Sequence, residues 1–174
     1  LTHIKEGDTV VDFTMGNGYD TVFLSKAVGA TGSVTAFDIQ PAALESTSAN
    51  LRRNGCPENW HLICASHDRA NEFIKGKIKA GMFNLGYLPG SGNKNIHTMR
   101  ESTLPAVTGA IELLRKGGVL VISVYPGHEE GKLEGEMLTE HLSKLDKKYY
   151  CVTQLRLINS PDAPFVIAVE KYDK

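Results

Sequence analysis

Apolar residues in this chain follow two alternating rhythms. Short apolar runs occur at Val10–Phe13, Ser33–Phe37, His61–Cys64, Ala80–Asn84, Val119–Val124, Tyr150–Leu157 and Phe165–Glu170, and each predicts a strand. Between them, helical spacing of apolar and polar positions predicts helices over Asp20–Val28, Pro41–Asn54, His67–Lys75, Met99–Leu114 and Gly131–Leu145. Pro41 fits a first helical turn and Gly55 a helix end. Gly117-Gly118, after Leu113-Leu114-Arg115-Lys116, predicts a helix stop ahead of a strand. Strands that alternate with helices predict a parallel sheet covered on both faces, an α/β fold. The last two strands are joined by Asn159-Ser160-Pro161-Asp162-Ala163-Pro164, too short for a crossover helix, so they are expected to form an antiparallel hairpin. No repeat, low-complexity tract or linker interrupts the pattern, and residues 1–174 are expected to form one domain.

Composition narrows the class. A chain of 174 residues is long enough to bury a real core, and 41% hydrophobic with 22% charged residues is the balance of a globular protein. The net charge of −1 argues against broad, non-specific nucleic-acid binding, while leaving room for a local basic patch. No apolar run approaches membrane-spanning length. Three widely spaced cysteines, Cys56, Cys64 and Cys151, suggest neither a disulfide framework nor a zinc site, and a reducing cytoplasm is the expectation. His3, His61, His97 and His141 have no partners at metal-ligand spacing, so no metal is expected. Leu1 is not an initiator Met, consistent with a chain that begins inside a longer protein, behind an N-terminal helix.

The chemistry concentrates between Thr9 and Asp38. An apolar run ends in Asp12, a small turn carries Gly16 and Gly18, a helix follows, and a second apolar run ends in Asp38. Glycines of this kind let a ligand approach the backbone, and an acid after the second strand can accept hydrogen bonds from both hydroxyls of a ribose. Asp38 lies 20 residues beyond Gly18, the spacing that role requires. A dinucleotide site prefers a third glycine, and Thr21 stands there instead. An acid at Asp12 would repel a pyrophosphate but suits the amino group of S-adenosylmethionine. The string Asp12-Phe13-Thr14-Met15-Gly16-Asn17-Gly18 resembles the first motif of class I methyltransferases, with Thr14 at the first glycine position. The seven predicted strands ending in a hairpin match the Rossmann-like architecture of that class. Two other readings of the turn stay open: a nicotinamide oxidoreductase on the same sheet, and a non-catalytic RNA-binding module.

A second motif lies at the end of the fourth strand, Asn84-Leu85-Gly86-Tyr87. It resembles the Asn-Pro-Pro-Tyr motif of amino-group methyltransferases, with Leu85 and Gly86 in place of the prolines. The more flexible Leu-Gly pair makes a non-planar aliphatic amine a plausible substrate. Together with FNLGYLPG, VYPGHEEG and INSPDAPFVIAVEK, these stretches make nearly the whole chain similar to the bacterial rRNA methylase family. One branch of that family methylates the aminomethyl group of 5-aminomethyl-2-thiouridine at the tRNA wobble position. Much of the family carries Gly-Asp-Lys after the Pro-Gly; here Lys94 is kept and Asn93 replaces the acid.

The resemblance implies S-adenosylmethionine as cofactor and a tRNA anticodon loop as partner, with rRNA as the runner-up and a homodimer in view. The candidate cofactor residues are Asp12, Thr14, Gly16, Asn17, Gly18, Asp20, Thr21, Asp38, Ile39, Gln40, Ser66, His67 and Asn84. Ser66-His67-Asp68 would face the adenine or simply cap a helix. The candidate catalytic residues are Asn84, Tyr87 and His128, the last as a proton acceptor. Leu85, Gly86, Lys94, Arg100 and Tyr125 are the candidate substrate residues, Lys94 and Arg100 toward phosphates and Tyr125 as an aromatic wall. Trp60 is expected to pack in the core, and Lys144, Lys147 and Lys148 to form a solvated helix end.

Overall fold

The computed structural model describes residues 4–85 and 100–172. Strands β1 (Thr9–Asp12), β2 (Ser33–Asp38), β3 (Trp60–Cys64), β4 (Ile78–Asn84), β5 (Leu114–Val124), β6 (Tyr150–Leu155) and β7 (Phe165–Lys171) form one sheet in the order β3-β2-β1-β4-β5-β7-β6. The first five run parallel, and β7 is antiparallel to both β5 and β6, as the short connection requires. The helices are α1 (Tyr19–Val28), α2 (Pro41–Arg53), α3 (Ala70–Phe73), α4 (Arg100–Leu113) and α5 (Glu129–Ser143). Pro41 opens α2 at its first turn, and Gly55 takes a φ of 62° just past its end.

Side chains of β1 alternate between the two faces, and this splits the core. Val10 packs with Leu24, Val28, Val34 and Ala80 under α1, with Trp60 half-buried against them. Val11 joins the larger cluster that α4 and α5 cover with Val107, Ala110, Leu138 and Leu142. Each fully buried Val or Leu among them contributes roughly 1.5–3 kcal/mol relative to exposure.

Most predicted bounds shift by one or two residues, and two elements depart further from the structure. The helix expected over His67–Lys75 is a tight turn at His67–Arg69 followed by the four-residue α3. Ile74 is extended and Gly76 has a φ of 93°, so the chain turns into β4 at once. The strand expected from Val119 begins at Leu114, which pairs with Ile78. Gly117, at a φ of 68°, falls within this strand, beside a register shift between Ile78 and Ala80. A glycine pair that reads as a break thus serves an irregularity in a pairing the sequence alone does not display.

The reversal of strand order falls between β1 and β4. In open α/β sheets the cleft beside such a reversal, at the carboxyl ends of the strands, is where ligands bind. Asp12, Asp38 and Asn84 are the last residues of β1, β2 and β4.

Candidate functional site

The site is built on an aromatic floor. Phe13, just past β1, stacks on Phe83 of β4 with ring centres 4.4 Å apart and on Phe37 of β2 at 6.2 Å. A side chain at Gly81 would meet the Phe13 ring at 2.7 Å, so this glycine admits the stack. The His67 ring meets Phe83 edge-on at 5.5 Å, and its Nδ1 lies 3.3 Å from the Phe13 carbonyl. A carbonyl only accepts, which puts the proton on Nδ1. Nε2 is buried without a partner among the described residues, and burial holds the His67 pKa below its ordinary value, so the ring is neutral. His67 therefore braces the tips of β1 and β4.

Above the floor runs the turn from Met15 to Gly18. Gly16 and Gly18 have φ values of 50° and 81°, the left-handed region that glycine adopts freely. The turn is held from α2: the Thr47 hydroxyl donates to the Gly16 carbonyl at 3.0 Å, the Ser46 hydroxyl to Asn17 Oδ1 at 3.1 Å, and Asn50 Nδ2 to the Asn17 carbonyl at 3.1 Å. These three residues were not among the sequence candidates. The available signal was a run of small polar residues on a helix, with Thr47 fully buried in the fold. Gly18 caps α1 with no side chain of its own, which leaves the first amides of that helix without a side-chain acceptor.

The acids of the site divide into two kinds. Asp12 is fully buried; its Oδ1 accepts the Thr14 N–H at 3.1 Å and its Oδ2 the Thr21 hydroxyl at 2.6 Å. Burial, reinforced by the nearby Asp20 and Asp38, pushes its pKa up to about 7, against the opposing hydrogen bonds from Thr21 and Thr14. The carboxylate thus supports the turn from inside, through Thr14 and Thr21. Asp38 is half-buried and caps the loop, its Oδ2 accepting from Gly16 N at 3.1 Å and its Oδ1 from Gln40 N at 2.9 Å. Ile39 beside it is 56% exposed. Asp20 lies half-buried in the first turn of α1. Among the described residues neither Asp20 nor Asp38 pairs with a cation.

Across the cleft, Asn84 is exposed at the tip of β4. Its backbone N–H donates to Thr14 Oγ1 at 2.6 Å, which ties the two central strand tips together. Its Nδ2 lies 3.5 Å from Asp20 Oδ2. Leu85 is buried and continues the ladder through its N–H to the Ser123 carbonyl at 3.0 Å. Tyr125 stands 38% exposed just beyond β5. His128 Nδ1 accepts the Gly131 N–H at 3.0 Å and so caps α5, which puts the ring proton on Nε2 and leaves that nitrogen a donor, not the proton acceptor expected from the sequence. Ser66 precedes the His67 turn and accepts the Arg69 N–H through its carbonyl rather than capping with its hydroxyl. Gly86, Tyr87 and Lys94 lie outside the described residues, as does the side chain of Arg100. No group of three or more metal-ligating side chains gathers among the described residues. Within the same limits, no helix is long and apolar enough to cross a membrane.

This sheet order, with its antiparallel last hairpin and a glycine turn at the strand reversal, is the class I methyltransferase fold. The model of the family described as "Putative rRNA methylase" matches residues 34–170, and the chain belongs to that family. It is 36% identical to the tRNA (mnm(5)s(2)U34)-methyltransferase, chloroplastic, of Arabidopsis thaliana, over 97% of this chain and 65% of that protein. The chain spans less than two thirds of the length of the curated relatives it matches. Among solved structures, the "putative rRNA-methylase" from Clostridium thermocellum superposes with a TM-score of 0.93 at 40% identity, covering 98% of this chain and 91% of the other. A "putative methyltransferase" from Streptococcus mutans in complex with SAH superposes at 0.87 with 34% identity, covering 98% and 92%.

Proposed function

We propose that this protein is an S-adenosylmethionine-dependent N-methyltransferase that acts on RNA, and that its substrate is the aminomethyl group of 5-aminomethyl-2-thiouridine at the tRNA wobble position. The observation that carries the reading is Asn84. It is exposed at the strand reversal, held by Thr14, and faces the glycine turn across the cleft. The printed activity of the Arabidopsis relative supports the substrate. The family's description favours rRNA as a second reading.

The residues present fit the cofactor. The turn at Gly16 and Gly18 offers backbone in place of side chains, and Asp38, half-buried and without a cationic partner among the described residues, keeps acceptor capacity for a ligand. Asp38 would hold the ribose diol, since each of its oxygens accepts one backbone N–H and keeps capacity for a hydroxyl. Gly16, Asn17 and Gly18 would face the methionine part, and Ile39, Gln40, Ser66 and His67 would border the adenine side. Asp12 and Thr21 would act by holding Thr14 and the turn.

When bound, S-adenosylmethionine supplies a methyl group on a sulfonium; an amine lone pair forms the N–C bond while the C–S electron pair returns to sulfur. The chain's own task is to align the amine and exclude water. Asn84 Oδ1 and the Leu85 carbonyl would accept amine N–H groups and aim the lone pair. A desolvated cleft lowers the amine's pKa and frees that lone pair. Tyr125, and Tyr87 and Gly86 beyond the described residues, would border the base. Lys94 and Arg100 would meet phosphates. The proton released by the product would pass to water, since His128 accepts the Gly131 N–H through Nδ1 and so carries its own ring proton on Nε2.

The test is nucleoside mass spectrometry of tRNA and rRNA incubated with protein and methyl-labelled cofactor. Label on the wobble aminomethyl-uridine supports the reading. Label confined to an rRNA base selects the second one.

A further inference from the structure

The side chain of Asn84 has an orientation that its neighbour imposes. Nδ2 lies 3.5 Å from Asp20 Oδ2. An ionised carboxylate only accepts, so a flipped amide would set two acceptors against each other. Nδ2 therefore belongs on Asp20, and Oδ1 faces away from it, while Thr14 fixes the backbone of the same residue. Asp20 has no cationic partner among the described residues. Among the described residues, Asp12 of β1 feels the charges of both Asp20 and Asp38. His67, from the turn after β3, is neutral. His128, Glu129 and Glu130 open α5 on the same edge of the sheet.

We propose that Asp20 is a positioning residue for the reacting group. Its carboxylate fixes the Asn84 amide so that Oδ1 accepts an N–H from the nucleophile, and its charge selects a nucleophile that becomes cationic on methylation, an amine in preference to a hydroxyl. The proposal rests on the methyltransferase reading. As the neutral amine forms its bond to the methyl carbon and the C–S pair returns to sulfur, positive charge passes from sulfur to nitrogen. The methylated ammonium then loses its extra proton to water. A fixed anion near that nitrogen stabilises the arriving charge. The same anion favours the protonated amine before reaction and so raises its pKa. Removing the anion has two opposite consequences: a lower maximal rate, and a rise of rate that begins at lower pH.

Asp20→Asn is the test, with Asp20→Glu as the conservative variant. Both are made in an Asp12→Asn background as well, because Asp12, its pKa raised to about 7, feels Asp20 and could shift the profile by itself. In cofactor-free protein, NMR of side-chain amides should show the Asn84 pair displaced by Asp20→Asn. Calorimetry should show S-adenosylhomocysteine binding changed by less than about threefold, while the rate at saturating cofactor on aminomethyl tRNA falls at least about tenfold. The rising limb of the pH–rate profile should move to lower pH, and Asp20→Glu should recover part of the rate. Unmoved Asn84 resonances overturn the pairing. A binding loss as large as the rate loss makes Asp20 a cofactor ligand, and a uniform rate loss with no shift of the profile makes it structural. Either result overturns the proposal. Failure of the methyltransferase reading would show separately, as no S-adenosylhomocysteine binding by the unmutated protein.

Discussion

Asp12 Oδ2 accepts the Thr21 hydroxyl at 2.6 Å in a place closed to solvent. The bond joins the end of β1 to the first turns of α1 and shapes the turn between them. It also stores a pH dependence. Burial raises the Asp12 pKa from 3.8 to about 7. Between those values the unfolded chain releases the proton and the native one keeps it. The native state binds more protons, so this group's contribution is fully favourable below about pH 4, declines as pH rises, and levels off above about pH 7.

Asp12→Asn should abolish that decline. Asn can accept from Thr14 N through Oδ1 and donate to Thr21 Oγ1 through Nδ2, so the support survives without the charge. Urea denaturation at pH 4 and pH 8 should show the variant gaining on the original protein with pH, by about 4 kcal/mol at most. Parallel pH dependences in the two proteins would show that Asp12 is ionised throughout this range.

Gly18 should be irreplaceable for reasons of packing. A Cβ there would lie 2.7 Å from Thr47 Cγ2 and 2.9 Å from Thr47 Cα, at a φ of 81°. The sequence suggests that a side chain at Gly18 would fill ligand space; the structure fills that direction with α2. Gly18→Ala should destabilise by about 1–3 kcal/mol through strain and overpacking. Because a backbone atom is also in the way, Thr47→Ala should relieve only part of the loss. Thermal unfolding of the two single variants and the double variant measures this. A Gly18→Ala protein of unchanged stability would show that α1 and α2 can separate at little cost.

The succession of strands and helices and the three strand-end residues were legible because they follow from local patterns: apolar runs, breaks, and polar residues at fixed offsets. Asp38 and Asn84 end their strands where the periodicity puts them. What the sequence hid is what depends on contacts across the chain. Thr47 holds Gly16 from 31 residues away, and Asp20 meets Asn84 across 64. Whether Asp12 faces a ligand or the interior is likewise decided by Thr14 and Thr21 folding over it. The helix expected at His67–Lys75 failed for the same reason: His67 bonds to the Phe13 carbonyl 54 residues earlier, and the chain turns to meet β4.

Asp38 should contribute to cofactor binding in two ways, through the ribose and through the Gly16 and Gln40 amides it already holds. Asp38→Ala should weaken S-adenosylmethionine binding by about 1.5–3 kcal/mol, the scale of charged hydrogen bonds. Asp38→Asn should lose less, since one amide oxygen can still cap the loop. Calorimetry on both variants is the measurement. Unchanged affinity in Asp38→Ala would remove the residue from the site.

Thr14 should govern turnover through Asn84. Its hydroxyl oxygen accepts the Asn84 N–H at 2.6 Å, the polar tie that the Thr14 side chain makes between the tips of β1 and β4. Valine matches the shape of threonine but cannot accept, so Thr14→Val leaves the Asn84 N–H unpaired and frees the strand tip to shift. A misplacement near 1 Å at a reacting group costs on the order of a hundredfold in rate. Thr14→Val should therefore lose about 10- to 100-fold in methyl transfer, with a far smaller change in S-adenosylhomocysteine affinity. Thr14→Ser keeps the acceptor and should retain most of the rate. Single-turnover kinetics and calorimetry on the same preparations separate the two effects. If serine and valine were equally impaired, the methyl group of Thr14 would matter and its hydroxyl would not.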